Sequence, residues 1–260
     1  MNPFKRRLAD RDHQTGLWLS LGCTAVAEVC ATGGFDWLLI DGEHGPNDLS
    51  AIVQQLRVIE PHTTAVVRPL SGDAAHVKPL LDIGVRNLLV PMIDSADQAR
   101  ELLRAMRYPP MGTRGMASAI TRASMYGRTP DYVRTANETL CLIAQIESPQ
   151  AVADAEGIAS VDGIDALFVG LYDLSATMGY VDMPSHPAVQ DALRSVAAAA
   201  HRAGKPVGTL APTPELARSA MLAGCTLIAY GSEVGLLTEA SAHLLRDADS
   251  TGEGTTALAQ

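Results

Sequence analysis

Apolar positions along the chain gather into short Leu- and β-branched-rich runs, separated by stretches with helical spacing. The runs are Gly16–Leu21, Asp36–Ile40, Thr64–Arg68, Arg86–Val90, Leu140–Glu147, Asp165–Val169, Pro206–Leu210 and Thr226–Tyr230. Between them the 3.6-residue period predicts helices over Asn47–Ile59, Asp73–Ile83, Ser95–Met106, Pro187–Ala203, Pro214–Ala223 and Ser232–Ala248. Thr213-Pro214-Glu215 supplies a cap and a proline for the first turn. Gly84, Gly204 and Gly224 stand where helices should stop before the next strand.

Strands alternating with helices imply a parallel sheet, because each crossover must return the chain to the same end. Eight such units in about 250 residues is the size of a (β/α)₈ barrel. An open doubly wound sheet is the alternative, but no GxGxxG follows any strand, and Gly33-Gly34 precedes one. The expected organisation is one barrel domain over residues 1–250 and a short flexible tail, rich in Gly, Thr and Ala, over 251–260. The aperiodic segment from Arg107 to Arg128 reads as a functional loop or a subunit contact.

Composition narrows the partners. Hydrophobic residues make up 47% of the chain and charged residues 19%, so a large core is available. Acidic residues outnumber basic ones by 29 to 20, and the formal net charge of -9 repels nucleic acid and anionic membranes. No apolar stretch approaches the ~20 residues needed to cross a bilayer. The first residues, charged throughout, lack the apolar segment of a secretory signal. Cys23, Cys30, Cys141 and Cys225 form no CxxC pair; buried free thiols in a reducing, cytoplasmic setting are the expectation.

The candidate chemistry lies at the strand ends, where barrels carry their active sites. Strand two ends in Asp41-Gly42-Glu43-His44, strand three in Arg68-Pro69, and strand five in Gln145-Ile146-Glu147. Strand six runs into Gly170-Leu171-Tyr172-Asp173. Each residue alone has a plain structural reading: Asp173 as a helix cap, Glu147 beside a helix start, Arg68 in a rim ion pair, His44 in a loop. Their convergence on one rim is what points to an active site.

Glu147 and Asp173 offer only carboxylate oxygens, a donor set that suits Mg²⁺ or Mn²⁺ better than zinc. Such an ion can act as a Lewis acid on a 2-oxo acid, and Arg68 can add charge-assisted donors to the same oxygens. His44 is a candidate proton carrier, with Asp41 three residues earlier as the group that holds its ring. The three lysines, Lys5, Lys78 and Lys205, all lie away from that rim, which argues against a Schiff base. A sugar-phosphate isomerase with phosphate at Gly231-Ser232-Glu233 is a second possibility; the acid at Glu233 argues against it.

The segments GLWLSLG, GFDWLLIDGEHGPND, VVRP, LLDIGVRNLLVPM, RYPPMGTRG, QIE and FVGLYDLSATMGY resemble the class II, metal-dependent pyruvate aldolases of the HpcH/HpaI family. The similarity runs in order from about Gly16 to Leu245, and the heptanedioate-cleaving branch is nearest in pattern. The resemblance implies a (β/α)₈ barrel assembled as a homohexamer, and an aldehyde-lyase of the kind used in aromatic-compound catabolism. The implied reaction is reversible cleavage of a 4-hydroxy-2-oxo acid, such as 4-hydroxy-2-oxoheptanedioate, to pyruvate and an aldehyde such as succinic semialdehyde. Aldolases for 2-keto-3-deoxy sugar acids are the alternative within it.

By the same resemblance His44 is the proton acceptor, paired with Asp41, and Arg68 stabilises the transition state. Glu147 and Asp173 hold the metal (Mg²⁺ or Mn²⁺, with Co²⁺ a third option). Gln145, Gly170 and Tyr172 meet the substrate beside Arg68 and Asp173, and Asp82 raises the basicity of the histidine. Asp82 should sit near the far end of its own barrel, so a neighbouring subunit is the route by which it would act. Two departures from the pattern bear on the aldehyde: Tyr172 stands where relatives have alanine, and the long loop reads Ser124-Met125-Tyr126-Gly127. Arg122 and Arg128 of that loop are candidates for a distal carboxylate, and Leu210-Ala211-Pro212 for the pocket wall.

Overall fold

The computed structural model describes residues 2–256. Its strands are β1 (Gln14–Leu19), β2 (Trp37–Asp41), β3 (Thr64–Arg68), β4 (Asn87–Val90), β5 (Cys141–Ile146), β6 (Ala166–Val169), β7 (Val207–Leu210) and β8 (Leu227–Ser232). Each pairs in parallel with the next, and β8 returns to β1, so the sheet closes into the expected (β/α)₈ barrel. The helices are α1 (Pro3–Ala9), α2 (Thr24–Ala31), α3 (Leu49–Ile59), α4 (Ala74–Asp82), α5 (Ala96–Met106), α6 (Tyr132–Thr139), α7 (Pro149–Ala153), α8 (Ala155–Ala159), α9 (Leu171–Thr177), α10 (Pro187–Arg202), α11 (Pro214–Leu222) and α12 (Glu233–Thr256).

Side chains alternate across a strand, so one set fills the barrel and the other meets the helices. Trp18, Trp37, Leu39, Val66, Ile143, Phe168 and Leu227 belong to the inner cluster. Leu38, Ile40, Val67, Leu88, Leu142 and Leu167 belong to the outer one. Trp37 is fully buried, and Phe168 stands edge-on to it at 6.4 Å between ring centres. Its indole occupies the space beside Gly16, where a Cβ would lie 2.2 Å from the ring; β1 therefore needs glycine there.

The charged first residues form a helix that closes the barrel floor. Phe4 and Leu8 of α1 join the inner cluster from below. Asn2 accepts from the N–H of Phe4 as an N-cap while its Nδ2 donates to Asn87 Oδ1 at 2.6 Å. Lys5 pairs with Asp165 at 3.0 Å and Arg7 with Asp36 at 2.6 Å. Lys5 is thereby held at the rim opposite the strand C-termini.

Three expectations change. The Arg107–Arg128 segment follows α5 and precedes β5, so it lies on the N-terminal rim: Arg122 donates to Ile83 O at 2.8 Å and pairs with Glu60 at 3.3 Å. Within one chain, neither it nor Arg128 of the same loop reaches the rim where the strands end. Of the four free cysteines only Cys141 and Cys225 are buried; Cys23 is exposed at the start of α2. Finally, α12 carries helical backbone to Thr256, through six of the ten residues read as a tail, and residues 257–260 lie outside the described residues. No helix among the described residues is long and apolar enough to cross a membrane.

Candidate active site

The inward alternation that places Leu39 and Val66 in the core continues upward to Asp41 on β2 and Arg68 on β3, which are register partners. Both are buried, and the guanidinium grips the carboxylate with two hydrogen bonds: Nε to Oδ1 at 2.8 Å and Nη2 to Oδ2 at 2.6 Å. Trp18 Nε1 donates to Oδ2 at 3.1 Å, and the backbone N–H groups of Glu43 and His44 donate to Oδ1 at 3.1 and 3.3 Å. Burial pushes the Asp41 carboxyl up, but the Arg68 bonds and charge outweigh it and hold the group below the usual carboxylate range. The Arg68 guanidinium also lies 5.1 Å over the Trp18 ring, so it is fixed from two sides.

This geometry gives Asp41 a different partner from the one expected of it. Its side chain braces Arg68 and the turn backbone, while the His44 ring, largely exposed, has Glu43 as its carboxylate neighbour: Oε2 to Nε2 is 3.8 Å. The same Glu43 oxygen is 2.9 Å from Arg68 Nη1, an ion contact that makes no aligned hydrogen bond. Sequence reasoning passed over Glu43, although its place in the Asp41–His44 turn was the available signal.

Across the mouth, β5 contributes Gln145 and the buried Glu147. Glu147 Oε2 accepts from the Met92 N–H at 3.0 Å, and Gln145 Nε2 donates to Oε1. Met92 holds that N–H in place from a left-handed backbone, φ 56°, which strains a residue other than glycine. Burial first, then the charges of Asp173 and Glu43, push the Glu147 carboxyl up to about 7 against the pull of the Met92 bond and Arg68. Asp173 sits exposed in the first turn of α9, close enough to raise both Glu147 and Glu43. The plain reading of Glu147 as a helix-start residue is unnecessary, because Ser148 caps α7.

Gly170 precedes α9 and faces this pair. A Cβ there would lie 2.6 Å from Glu147 Oε1 and 3.0 Å from Gln145 Nε2, so the absence of a side chain keeps the floor of the site open. Gln145 Oε1 is buried without a hydrogen-bond partner. Like-charged carboxylates around an open floor, with an orphaned amide oxygen beside them, fit a hard divalent cation whose remaining positions go to water or substrate oxygens. Among the described residues no group of three or more His, Cys, Asp or Glu side chains forms a ready metal cluster.

One sequence candidate lies elsewhere. Asp82 ends α4 at the opposite rim and pairs with the buried Arg114 at 3.0 Å, so a single chain does not bring it to His44. Tyr172, by contrast, stays at the active rim, exposed in the first turn of α9 beside Asp173. At the end of β8 the buried Glu233 accepts from the N–H groups of Ser20 and Leu21, the latter at 2.7 Å, and Ser232 caps the N–H of Gly235. An anionic carboxylate at this helix start disfavours phosphate there and weighs against the isomerase alternative.

A closed parallel barrel that gathers a braced arginine and several carboxylates at its C-terminal rim has the architecture of a barrel enzyme. A family model described as HpcH/HpaI aldolase/citrate lyase matches residues 14–240. A hydroxypyruvate/pyruvate aldolase of Delftia acidovorans is 48% identical over 92% of this chain and 90% of its own. A 2-keto-3-deoxy-L-rhamnonate aldolase of Salmonella typhi is 45% identical over 92% of this chain and 90% of its own. The crystal structure of an HpcH/HpaI aldolase/citrate lyase family protein from Burkholderia cenocepacia matches with a TM-score of 0.92 at 39% identity, covering 96% of this chain and 100% of that one. The chain belongs to the HpcH/HpaI aldolase/citrate lyase family.

Proposed function

We propose that this chain is a divalent-metal-dependent pyruvate aldolase that cleaves and forms the C3–C4 bond of 2-keto-3-deoxy sugar acids and related 4-hydroxy-2-oxo acids. The relative at 48% identity is named for hydroxypyruvate/pyruvate, the 2-oxo acid component; the one at 45% is named for 2-keto-3-deoxy-L-rhamnonate, which supports a hydroxy-aldehyde partner over succinic semialdehyde. The sugar-acid reading, which has these relatives behind it, takes the place of the heptanedioate one. The observation that carries the proposal is Arg68, locked by Asp41 and facing the Glu147–Asp173 pair.

Glu147 and Asp173 would hold Mg²⁺ or Mn²⁺, with Co²⁺ also compatible with oxygen donors, and the ion would polarise the 2-oxo group and offset the negative charge that develops at C3. Arg68 presents guanidinium N–H groups to the oxygens of the 2-oxo acid; its bonds to Asp41 fix it beforehand, so it need not reorganise as charge builds. Gln145 and the Gly170–Asp173 turn line the floor on which that end rests. His44, exposed at the mouth, takes the proton from the C4 hydroxyl. The C4–O bond becomes a carbonyl, the C3–C4 bond breaks, and its electron pair passes into a pyruvate enolate. Protonation at C3 then releases pyruvate.

Homo-oligomeric assembly, a hexamer by family resemblance, belongs to the same proposal. Val234, Leu237, Leu244 and Leu245 are exposed on α12 at helical spacing, a face suited to a second copy of the chain. A neighbour is also the route by which Asp82 would reach His44. Free thiols in all four cysteines fit a reducing, cytoplasmic setting.

A lactate-dehydrogenase-coupled assay of pyruvate release tests the reaction. The expected result is turnover of 2-keto-3-deoxy-L-rhamnonate above 4-hydroxy-2-oxoheptanedioate, with Mg²⁺ or Mn²⁺ present and lost on chelation. Faster cleavage of the heptanedioate, or full activity in chelator, contradicts it.

A further inference from the structure

We propose that Glu43 is the positioning residue that His44 finds within its own chain, the carboxylate that orients its ring and compensates its charge as it takes the substrate proton, a role separate from that of a neighbour's Asp82, and that the Asp41 side chain has no part in it. The inference rests on the aldolase reading of the site and adds to it a residue that the reading does not use.

Lone-pair accounting excludes Asp41. A carboxylate offers about four acceptor positions. Asp41 accepts five N–H groups: Arg68 Nε and the backbone of Glu43 and His44 at Oδ1, and Arg68 Nη2 and Trp18 Nε1 at Oδ2. It is saturated, and its contact with His44 is through the backbone, not the ring.

Glu43 has the opposite condition. Its Oε2 lies between the Arg68 guanidinium and the His44 ring, 2.9 Å from Arg68 Nη1 and 3.8 Å from His44 Nε2, and carries no aligned hydrogen bond. A free acceptor at 3.8 Å becomes a hydrogen bond when the ring shifts by less than an ångström (about 2.6–3.2 Å is needed), and His44 is exposed and free to move. The Arg68 contact anchors the carboxylate from the buried side, so the movement belongs to the ring. His44 then works between the substrate hydroxyl on one side and a fixed negative charge on the other, the arrangement by which a carboxylate stabilises a developing imidazolium.

The step itself balances without further reagents. The C4 hydroxyl proton moves to His44, the C3–C4 pair moves to the enolate, and Glu43 neither gains nor loses a proton.

The test uses the metal-loaded enzyme, 2-keto-3-deoxy-L-rhamnonate as probe, and E43Q, E43D, H44Q and the E43Q/H44Q double variant, each checked for folding by thermal melting. E43Q keeps the shape and loses the charge. The expected result is a fall in kcat of about 10²-fold, KM within about twofold because substrate binding rests on Arg68, and partial recovery in E43D. The double variant should be no slower than H44Q alone, since the two residues act as a unit. A rise in KM with kcat unchanged would assign Glu43 to bracing Arg68 only, and overturns the inference. Losses that multiply in the double variant overturn it too. Full activity in H44Q is a different failure: it removes the histidine from the proton step and sinks the underlying reading.

Discussion

Arg68 and Asp41 face each other across the β2–β3 ladder and share two parallel hydrogen bonds of 2.8 and 2.6 Å, both side chains buried. A fork that matches a carboxylate in this way cannot be replaced by a point charge. R68K should therefore lower kcat/KM by at least about 10²-fold, the usual effect of removing a donor to developing charge. Steady-state kinetics with 2-keto-3-deoxy-L-rhamnonate check it; activity within threefold of the parent would place Arg68 outside the site.

Removing only the acid leaves a buried guanidinium with no aligned carboxylate, only the Glu43 ion contact. D41A should lose about 3–5 kcal/mol of stability, measured by urea unfolding, and activity with it. A loss under 1 kcal/mol would mean that water or Glu43 replaces the carboxylate.

The same pair sets a pH dependence. Because the folded Asp41 lies below its unfolded value of about 4, the folded state ionises first as pH rises. Its contribution is full above that unfolded value and declines as pH falls through the folded one. Unfolding free energy of the parent should drop below pH 4 more steeply than that of D41N. Parallel curves would show that the contribution comes from other acids.

Gly170 is needed for want of a side chain. G170A puts a methyl 2.6 Å from Glu147 Oε1, and the misplaced carboxylate should lower kcat/KM by roughly 10²-fold. The fold, perturbed at one rim turn, should lose only about 1–3 kcal/mol. Wild-type kinetics in G170A would show that Glu147 can shift freely and that the floor is not tight.

The apolar face of α12 makes assembly testable. L237E or L244E should shift the protein to smaller species in light-scattering chromatography without changing its circular dichroism. An unchanged mass would show that this face does not join copies of the chain.

Much of this was readable before the structure, for identifiable reasons. The strands announced themselves because runs such as Trp37-Leu38-Leu39-Ile40 are buried on both faces and bounded by glycine or proline. Asp41, Arg68 and Glu147 stood out because each is charged where such a run ends. The helix α1 did not, since PFKRRLA buries only Phe4 and Leu8 and otherwise reads as a charged arm. Helices α7 and α8, five residues each, are too short to show a period. The choice between Asp41 and Glu43 as neighbour of His44 was beyond spacing arguments, because it depends on which carboxylate Arg68 and Trp18 have already saturated. Arg122 does not reach the active rim of its own chain for a countable reason: α5 intervenes between β4 and its loop.

The most direct test is the cation. Chelator-treated protein titrated with Mn²⁺, with free ion read by electron paramagnetic resonance, should show one site per chain that is lost in both E147Q and D173N while their thermal melting is retained. Undiminished Mn²⁺ binding in either variant would contradict a site shared by these two carboxylates.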